Sequence, residues 1–311
     1  MTDAAFADYT FANLVSGRPF HESMTKDGMV RLAKSWYDHC AIHHLASQAN
    51  FITKSAGKRL LNVAGCTGNQ RVKLESPAGC NRRRSSYACL SYCWEERQQL
   101  VLTRNTLDVF ATEGVELDDL PATIKDACKL CDGLGLSHLF VDSLCILQDS
   151  ADDRREVAGQ MCDTYSGAAL TIAAAAGTDC REGLLARRLW DSHRTAELQA
   201  DGPGGQTGAC YIRGRLKRRA NPLELRGWAM QEDLLSSKLL KIGRAEMSWH
   251  CSCSSFRESQ VARAMPSTLP AWGSVFLPPL SMFLRRKYKS SSDRTIQDDA
   301  FLLRRTSCRQ S

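Results

Sequence analysis

Three short stretches of the sequence combine acids, amides and aromatic side chains that could bind a ligand or catalyse a reaction. They are SYCWEE (91–96), DSLCILQD (142–149) and RGWAMQE (226–232). The candidate ligand-binding residues are Tyr92, Trp94, Asp142, Gln148 and Trp228, and the candidate catalytic residue is Glu232. An aromatic wall beside two carboxylates suits a ribose or a cationic nicotinamide group. It equally suits a structural network that joins the three stretches.

Glu232 is the acid whose position most favours catalysis. Trp228 and Glu232 are four residues apart, which is about one helical turn, so both side chains should point the same way. A carboxylate near an aromatic wall could stabilise an oxocarbenium-like ribosyl centre as a leaving group departs. The alternative is that Trp228 packs in the core, while Glu232 pairs with Arg226 or caps a neighbouring element.

Asp142 lies in HLFVDSLCILQDS (138–150), an apolar run that suits a strand buried on both faces. A buried carboxylate without a partner is costly. Either the strand stops at Asp142 and polar side chains line a site, or Asp142 is a structural acid bound to backbone N–H groups or an arginine. Gln148 and Asp149 then belong to the loop and to the start of the helix that follows.

Cys145 raises the alternative of a cysteine hydrolase, which needs a histidine within hydrogen-bond reach. His138 is seven residues away in an extended segment and His250 could approach only through the fold, so we interpret Cys145 as a small buried residue. The residues that could bind zinc fit no zinc motif in their spacing: Cys40, His43, His44, Cys66 and Cys80. No metal site is therefore predicted.

Alternating strand-like and helix-like segments would position these side chains. Strands are predicted at 87–94, 138–142 and 169–174, with helices at 121–133 and 151–165 between them. This alternation predicts an α/β fold with a mostly parallel, doubly wound sheet and flanking helices. Ligand sites in such sheets lie beyond the carboxyl ends of the strands, so Tyr92 or Trp94, Asp142 and Glu232 should border one crevice.

The remaining segments divide the chain into three regions. Residues 1–85 are interpreted as an irregular N-terminal region and residues 86–260 as the α/β domain, in which 190–222 forms a long excursion. Residues 261–311 hold nine Lys and Arg against three Asp, which accounts for +6 of the net charge of +7. This basic tail is predicted to be disordered, and the nearly neutral remainder does not favour a nucleic-acid partner.

Composition also bears on location. The chain starts without a basic segment followed by an apolar one, and no stretch reaches the roughly 20 apolar residues of a membrane helix. Fourteen cysteines without a disulfide-like framework indicate reduced thiols. We therefore expect a cytoplasmic protein, with the nucleus as an alternative, and no membrane partner.

The three stretches, in this order, resemble the fungal heterokaryon incompatibility (HET) domain. The similarity extends over roughly residues 36–255, through YACLSYCWE, the long block from LPATIKDACKLC to YSGAALTIAAA, and RGWAMQEDLLSSKLLKIGRAEMSWHC. It departs from the family pattern at Glu95, where glycine is usual, and at His250, where glutamate is usual. The resemblance implies a fungal protein that induces programmed cell death on non-self recognition, with other HET domains or incompatibility proteins as partners.

The resemblance also implies a possible enzyme. The HET family is distantly similar to Toll/interleukin-1 receptor (TIR) domains, some of which cleave NAD, and the Trp228–Glu232 spacing is similar to their Trp-Cys-x-x-Glu segment with its catalytic glutamate. Three classes thus stay open: an interaction module, an NAD glycohydrolase with NAD as substrate, and an inactive, truncated relative. No cofactor is predicted, and the oligomeric state is left open.

Overall fold

The computed structural model describes residues 25–43, 58–76, 86–94, 100–184, 195–201, 207–213, 221–244 and 246–258. The helices are α1 (Lys26–His43), α2 (Cys66–Asn69), α3 (Arg104–Thr112), α4 (Ala122–Leu134), α5 (Asp142–Cys145), α6 (Ala151–Gly167) and α7 (Gly227–Leu235). The strands are β1 (Leu60–Asn62), β2 (Arg71–Glu75), β3 (Tyr87–Ser91), β4 (Val115–Glu116), β5 (His138–Phe140), β6 (Leu170–Ala173), β7 (Thr195–Asp201), β8 (Thr207–Arg213), β9 (Lys238–Ile242), β10 (Met247–Cys251) and β11 (Ser255–Arg257).

Nine of these strands form one mixed sheet in the order β11-β10-β9-β6-β3-β5-β1-β2-β4. The four central strands, β9, β6, β3 and β5, run parallel to one another. The outer strands on both sides pair antiparallel. The expectation of an α/β fold is confirmed, but a mostly parallel sheet is correct only for the centre. Short connections such as that between β9 and β10 permit only antiparallel pairing, whereas parallel neighbours need a long crossover.

The central strands are held by burial on both faces. Every residue of β3 and β6 is buried, as expected for continuous apolar runs in a parallel sheet covered by helices. Helix α4 leads into β5 and ends where Gly135 adopts a left-handed backbone with φ of 77°. Helix α6 leads into β6 and begins at Ser150, whose Oγ accepts a hydrogen bond from the Asp153 N–H at 3.4 Å. The predicted start and end of both helices are thus confirmed to within two residues.

The interpretation of residues 1–85 as irregular is wrong for the parts that the structure describes. Strand β1 pairs with β5, so the N-terminal region contributes strands to the same sheet. Helix α1 packs on α4 so closely that a Cβ at Gly133 would lie 2.6 Å from Val30 Cγ1. The buried residues of α1 recur at helical spacing, which is the sequence signal of this helix: Met29, Ala33, Trp36 and Cys40.

The segment read as an excursion contains a hairpin. Strands β7 and β8 pair antiparallel in a two-stranded sheet of their own, from Thr195↔Arg213 to Asp201↔Thr207. The predicted basic tail, 261–311, lies outside the described residues. In the part of the chain that is described, no helix combines the length and the apolar character needed to cross a bilayer.

Candidate functional site

The polar stretches emerge at the edge of the sheet that is formed by the carboxyl ends of its central strands, because two of these strands end side by side. Strand β3 ends at Ser91 and β5 ends at Phe140, and the two are parallel with Cys89 opposite Phe140. The residues that follow them, Tyr92 to Trp94 and Asp142, therefore leave the sheet at the same carboxyl edge. Asp142 is the first residue of the short helix α5, so the predicted strand stops two residues earlier than expected.

Asp142 is held by neutral N–H donors. The Trp94 indole Nε1–H lies 3.1 Å from Oδ1 and 2.9 Å from Oδ2, and the Ser143 backbone N–H donates to Oδ1 at 2.8 Å. Burial raises the pKa of Asp142 from 3.8 to about 6, although these donors, and the positive charge of Arg226, act in the opposite direction. Burial therefore disfavours the ionised form of Asp142 and raises its affinity for a proton.

An aromatic wall stands beside this acid. The rings of Tyr92 and Trp94 stack with centroids 6.5 Å apart and planes inclined by 26°. The Tyr92 hydroxyl donates to Ser143 Oγ at 2.8 Å, and the Arg226 guanidinium Nη1 donates to the Tyr92 carbonyl at 2.7 Å. Arg226 thus ties the start of α7 to the segment that follows β3.

Glu232 reaches the same edge from α7. Its Oε2 accepts a hydrogen bond from the buried Ser91 hydroxyl, and the Tyr165 hydroxyl also hydrogen bonds to this carboxylate. The pKa of Glu232 is raised from 4.5 to about 7, chiefly by burial; the charge of Asp142 acts in the same direction, whereas Ser91, Tyr165 and Arg226 act against it. Near neutral pH both protonation states are populated, which suits a general acid or base.

The structure therefore brings Trp94, Asp142 and Glu232 to one edge, together with Tyr92. Gln148 lies next to them: its Nε2 donates at 3.0 Å to the carbonyls of Asp142 and Ile146, which fixes the loop after α5. Trp228 is placed differently, because 58% of its surface is exposed. The alternative in which Trp228 packs in the core is wrong. The ligand-binding roles of these residues stay predictions.

Three residues of this cluster were not predicted as site residues. Ser91 is the polar residue that ends the apolar run of β3, which is a weak sequence signal, and the sequence suggests Arg226 only as a partner for Glu232. Tyr165 is fully enclosed on α6, and its hydroxyl also lies 3.4 Å from the Leu90 carbonyl. Nothing in the sequence around Tyr165 marks it, because its proximity to Glu232 results from helix packing.

The cysteine hydrolase alternative is not supported by the surroundings of Cys145. This residue is buried, and burial raises the pKa of its thiol to about 12, so it stays protonated at neutral pH. His138 Nε2 lies 3.1 Å from a Glu75 carboxylate oxygen, on another strand. Among the described residues no group of three or more His, Cys, Asp or Glu side chains could hold a metal ion.

Fold and site together define an α/β protein that places ionisable acids beside aromatic rings where its central parallel strands end. Residues 87–232 match the family model described as "Heterokaryon incompatibility protein (HET)", so this segment is similar to heterokaryon incompatibility domains, as its motifs predict. The matched segment begins with the first residue of β3 and ends at Glu232. No curated protein and no solved structure matches the chain. The expected distant similarity to TIR domains stays a prediction.

Proposed function

We propose that this protein acts in heterokaryon incompatibility by inducing programmed cell death when genetically different fungal cells fuse. The observation that supports this proposal is the family match over residues 87–232. Its partners are then other HET domains or incompatibility proteins, and it acts in the cytoplasm or nucleus. The match covers three of the four central strands, β3, β5 and β6, and both acids of the site, Asp142 and Glu232, so these two acids are the first place to test.

The chemistry of Glu232 supports a second candidate, cleavage of NAD at the same edge. A carboxyl group with a pKa of about 7 can hold or release a proton under cellular conditions. The partly exposed Trp94 ring, stacked on the buried Tyr92, could pack against a cationic nicotinamide, and a carboxylate could stabilise the positive ribosyl centre left when the nicotinamide departs. NAD is the substrate in this scheme, and the chain needs no bound cofactor.

One experiment tests both candidates. The full chain is expressed from an inducible promoter in a filamentous fungus, and cell viability and cellular NAD are followed in the same cultures. The variant is Glu232→Gln, which keeps the shape of the side chain and removes its charge and its proton. The matched control is Asp233→Asn, the same chemical change at the next residue, where the carboxylate instead pairs with Lys241 at 2.9 Å.

The three classes give different results. An NAD-cleaving enzyme lowers NAD before viability falls, and Glu232→Gln abolishes both effects while Asp233→Asn keeps them. An interaction module kills while NAD stays constant until death. An inactive relative does neither although the protein accumulates, and that outcome would overturn the proposed function. Purified protein incubated with NAD then separates direct cleavage from a consequence of dying cells.

A further inference from the structure

Three side chains from three elements come together where β9 begins and β10 ends. They are Cys40 on α1, Lys238 at the start of β9 and Cys251 at the end of β10. Lys238 and Cys251 are directly opposite each other in the antiparallel pairing of β9 with β10. Directly opposed residues share a face of the sheet, with Cβ atoms about 5 Å apart.

Helix α1 places Cys40 above this pair. The Tyr37 ring meets the Trp249 ring edge-on, with centroids 6.3 Å apart. Cys40 lies three residues after Tyr37, on the same side of the helix, and Cys251 lies two residues after Trp249, on the same face of the strand. Both cysteines therefore belong to the interface between α1 and β10, and the Cys40 thiol hydrogen bonds to the Cys251 sulfur.

The surroundings of Cys251 favour its thiolate. The hydrogen bond from Cys40 is the largest cause that holds the pKa of Cys251 below its ordinary value, and the Ser254 hydroxyl, 3.3 Å from the sulfur, acts in the same direction. Lys238 is only 4% exposed, and burial lowers the pKa of its amino group, whereas its electrostatic interactions with Cys40 and Cys251 act in the opposite direction and favour the ammonium form. A cation beside a partly exposed thiol is the environment of reactive cysteines.

Other cysteines differ from Cys251 in this respect. Burial raises the pKa of Cys66 to about 11 and that of Cys145 to about 12. Cys253, two residues from Cys251, is exposed, yet burial and the neighbouring Cys251 raise its pKa. Exposure alone therefore does not produce a reactive thiol here. Cys253 provides an internal reference for the reactivity of Cys251.

We propose that Cys251 is a nucleophilic thiol that hydroperoxides oxidise, and that Cys40 then resolves the product as a disulfide joining α1 to β10. In the first step the Cys251 sulfur attacks a peroxide oxygen, the O–O bond breaks, and a sulfenic acid forms as alcohol or water leaves. In the second step the Cys40 sulfur attacks the Cys251 sulfur, the S–O bond breaks, and the proton of Cys40 leaves with the hydroxyl as water. Two thiols and one hydroperoxide thus give one disulfide, one alcohol and one water.

Peptide mapping of the full-length protein, first as the wild type and then as two cysteine variants, tests this proposal. The reduced chain is treated with hydrogen peroxide, quenched with N-ethylmaleimide, digested and analysed by mass spectrometry. We expect a disulfide-linked pair of peptides containing Cys40 and Cys251, formed at least about tenfold faster than any oxidation of Cys253. Cys253→Ser should keep the link. Cys40→Ser should leave a sulfenic acid on Cys251 that dimedone traps.

Two results would overturn the proposal. Oxidation of Cys253 as fast as that of Cys251 would remove the special reactivity. A sulfenic acid on Cys251 that never links to Cys40 in the wild-type chain would remove the resolving role. Glu232→Gln should form the same disulfide at the wild-type rate, so the outcome is independent of the proposed function.

Discussion

Asp153 and Glu232 are both acids withdrawn from solvent, yet their surroundings are opposite. Asp153, only 8% exposed, forms a salt bridge with Arg59, lies 3.5 Å from Lys58 Nζ, and accepts the Leu147 N–H at 2.9 Å. Burial alone would raise the pKa of Asp153, but the Leu147 N–H and the two cations hold it below its ordinary value. Glu232 accepts hydrogen bonds from neutral hydroxyls and lies near a second acid, and its pKa is about 7.

The difference separates a structural acid from one that is available for chemistry. A carboxylate in salt bridges with cations stays ionised and holds two elements together, whereas one whose hydrogen bonds come only from neutral donors can exchange its proton near neutral pH. Asp153 joins the start of α6 to the residues before β1. Glu232 is an ionisable group at the carboxyl ends of the strands, where ligands bind in this kind of sheet.

The largest expected effect is the loss of the structural acid. Asp153→Ala should lower the free energy of unfolding by about 3 kcal/mol, because it leaves the Arg59 charge and the Leu147 N–H without their carboxylate. Urea unfolding followed by circular dichroism measures it. Asp152→Ala is the matched control: its side chain is 91% exposed, so a change of at most about 0.5 kcal/mol is expected. Equal losses from both variants would contradict the assignment of Asp153.

The effect of the second acid should have the opposite sign. At about pH 8, Glu232→Gln should raise the free energy of unfolding by about 1 to 2 kcal/mol, because it removes a carboxylate that burial penalises and keeps hydrogen-bonding capacity towards Ser91. The same unfolding measurement decides this. A clear loss of stability would mean that the Glu232 charge is structurally compensated, as that of Asp153 is.

Stability should also depend on pH through Glu232. The unfolded chain releases this proton near its ordinary pKa of 4.5, but the folded protein retains it up to about 7. The folded state therefore binds more protons in this window, and stability falls as pH rises through it; Asp142 acts in the same direction between 3.8 and about 6. Unfolding measured across this range should show a shallower decline for Glu232→Gln. Identical slopes would mean that Glu232 does not titrate there.

The smallest effect concerns the aromatic wall. Trp94→Phe removes the indole N–H that donates to both Asp142 oxygens, which should raise the pKa of Asp142 further and cost about 1 kcal/mol at neutral pH. Trp228→Phe is the control, because that side chain is mostly exposed and should change stability by less than about 0.5 kcal/mol. Equal effects at the two positions would show that the Trp94 hydrogen bonds are energetically unimportant.

Much of the fold follows from local patterns. The apolar runs YACLS and LTIA predict the buried central strands, and the caps at Ser150 and Gly135 predict where two helices begin and end. The outer strands were harder to predict. Strands β1 and β11 have only three residues each, too few for a period to appear, and they exist because neighbouring strands offer free backbone groups.

The sequence by itself determined the chemistry that is available: an acid one helical turn from a tryptophan, a second acid after a buried run, and family motifs that predict the HET domain. The tertiary structure decided which acid is matched by cations and which is not. Trp94 and Asp142 are far apart in the chain but hydrogen bonded at a shared strand edge, and Ser91 and Tyr165 come to Glu232 only through packing of α7 and α6. Proton affinity depends on burial and on the charges nearby, and both are properties of the folded chain.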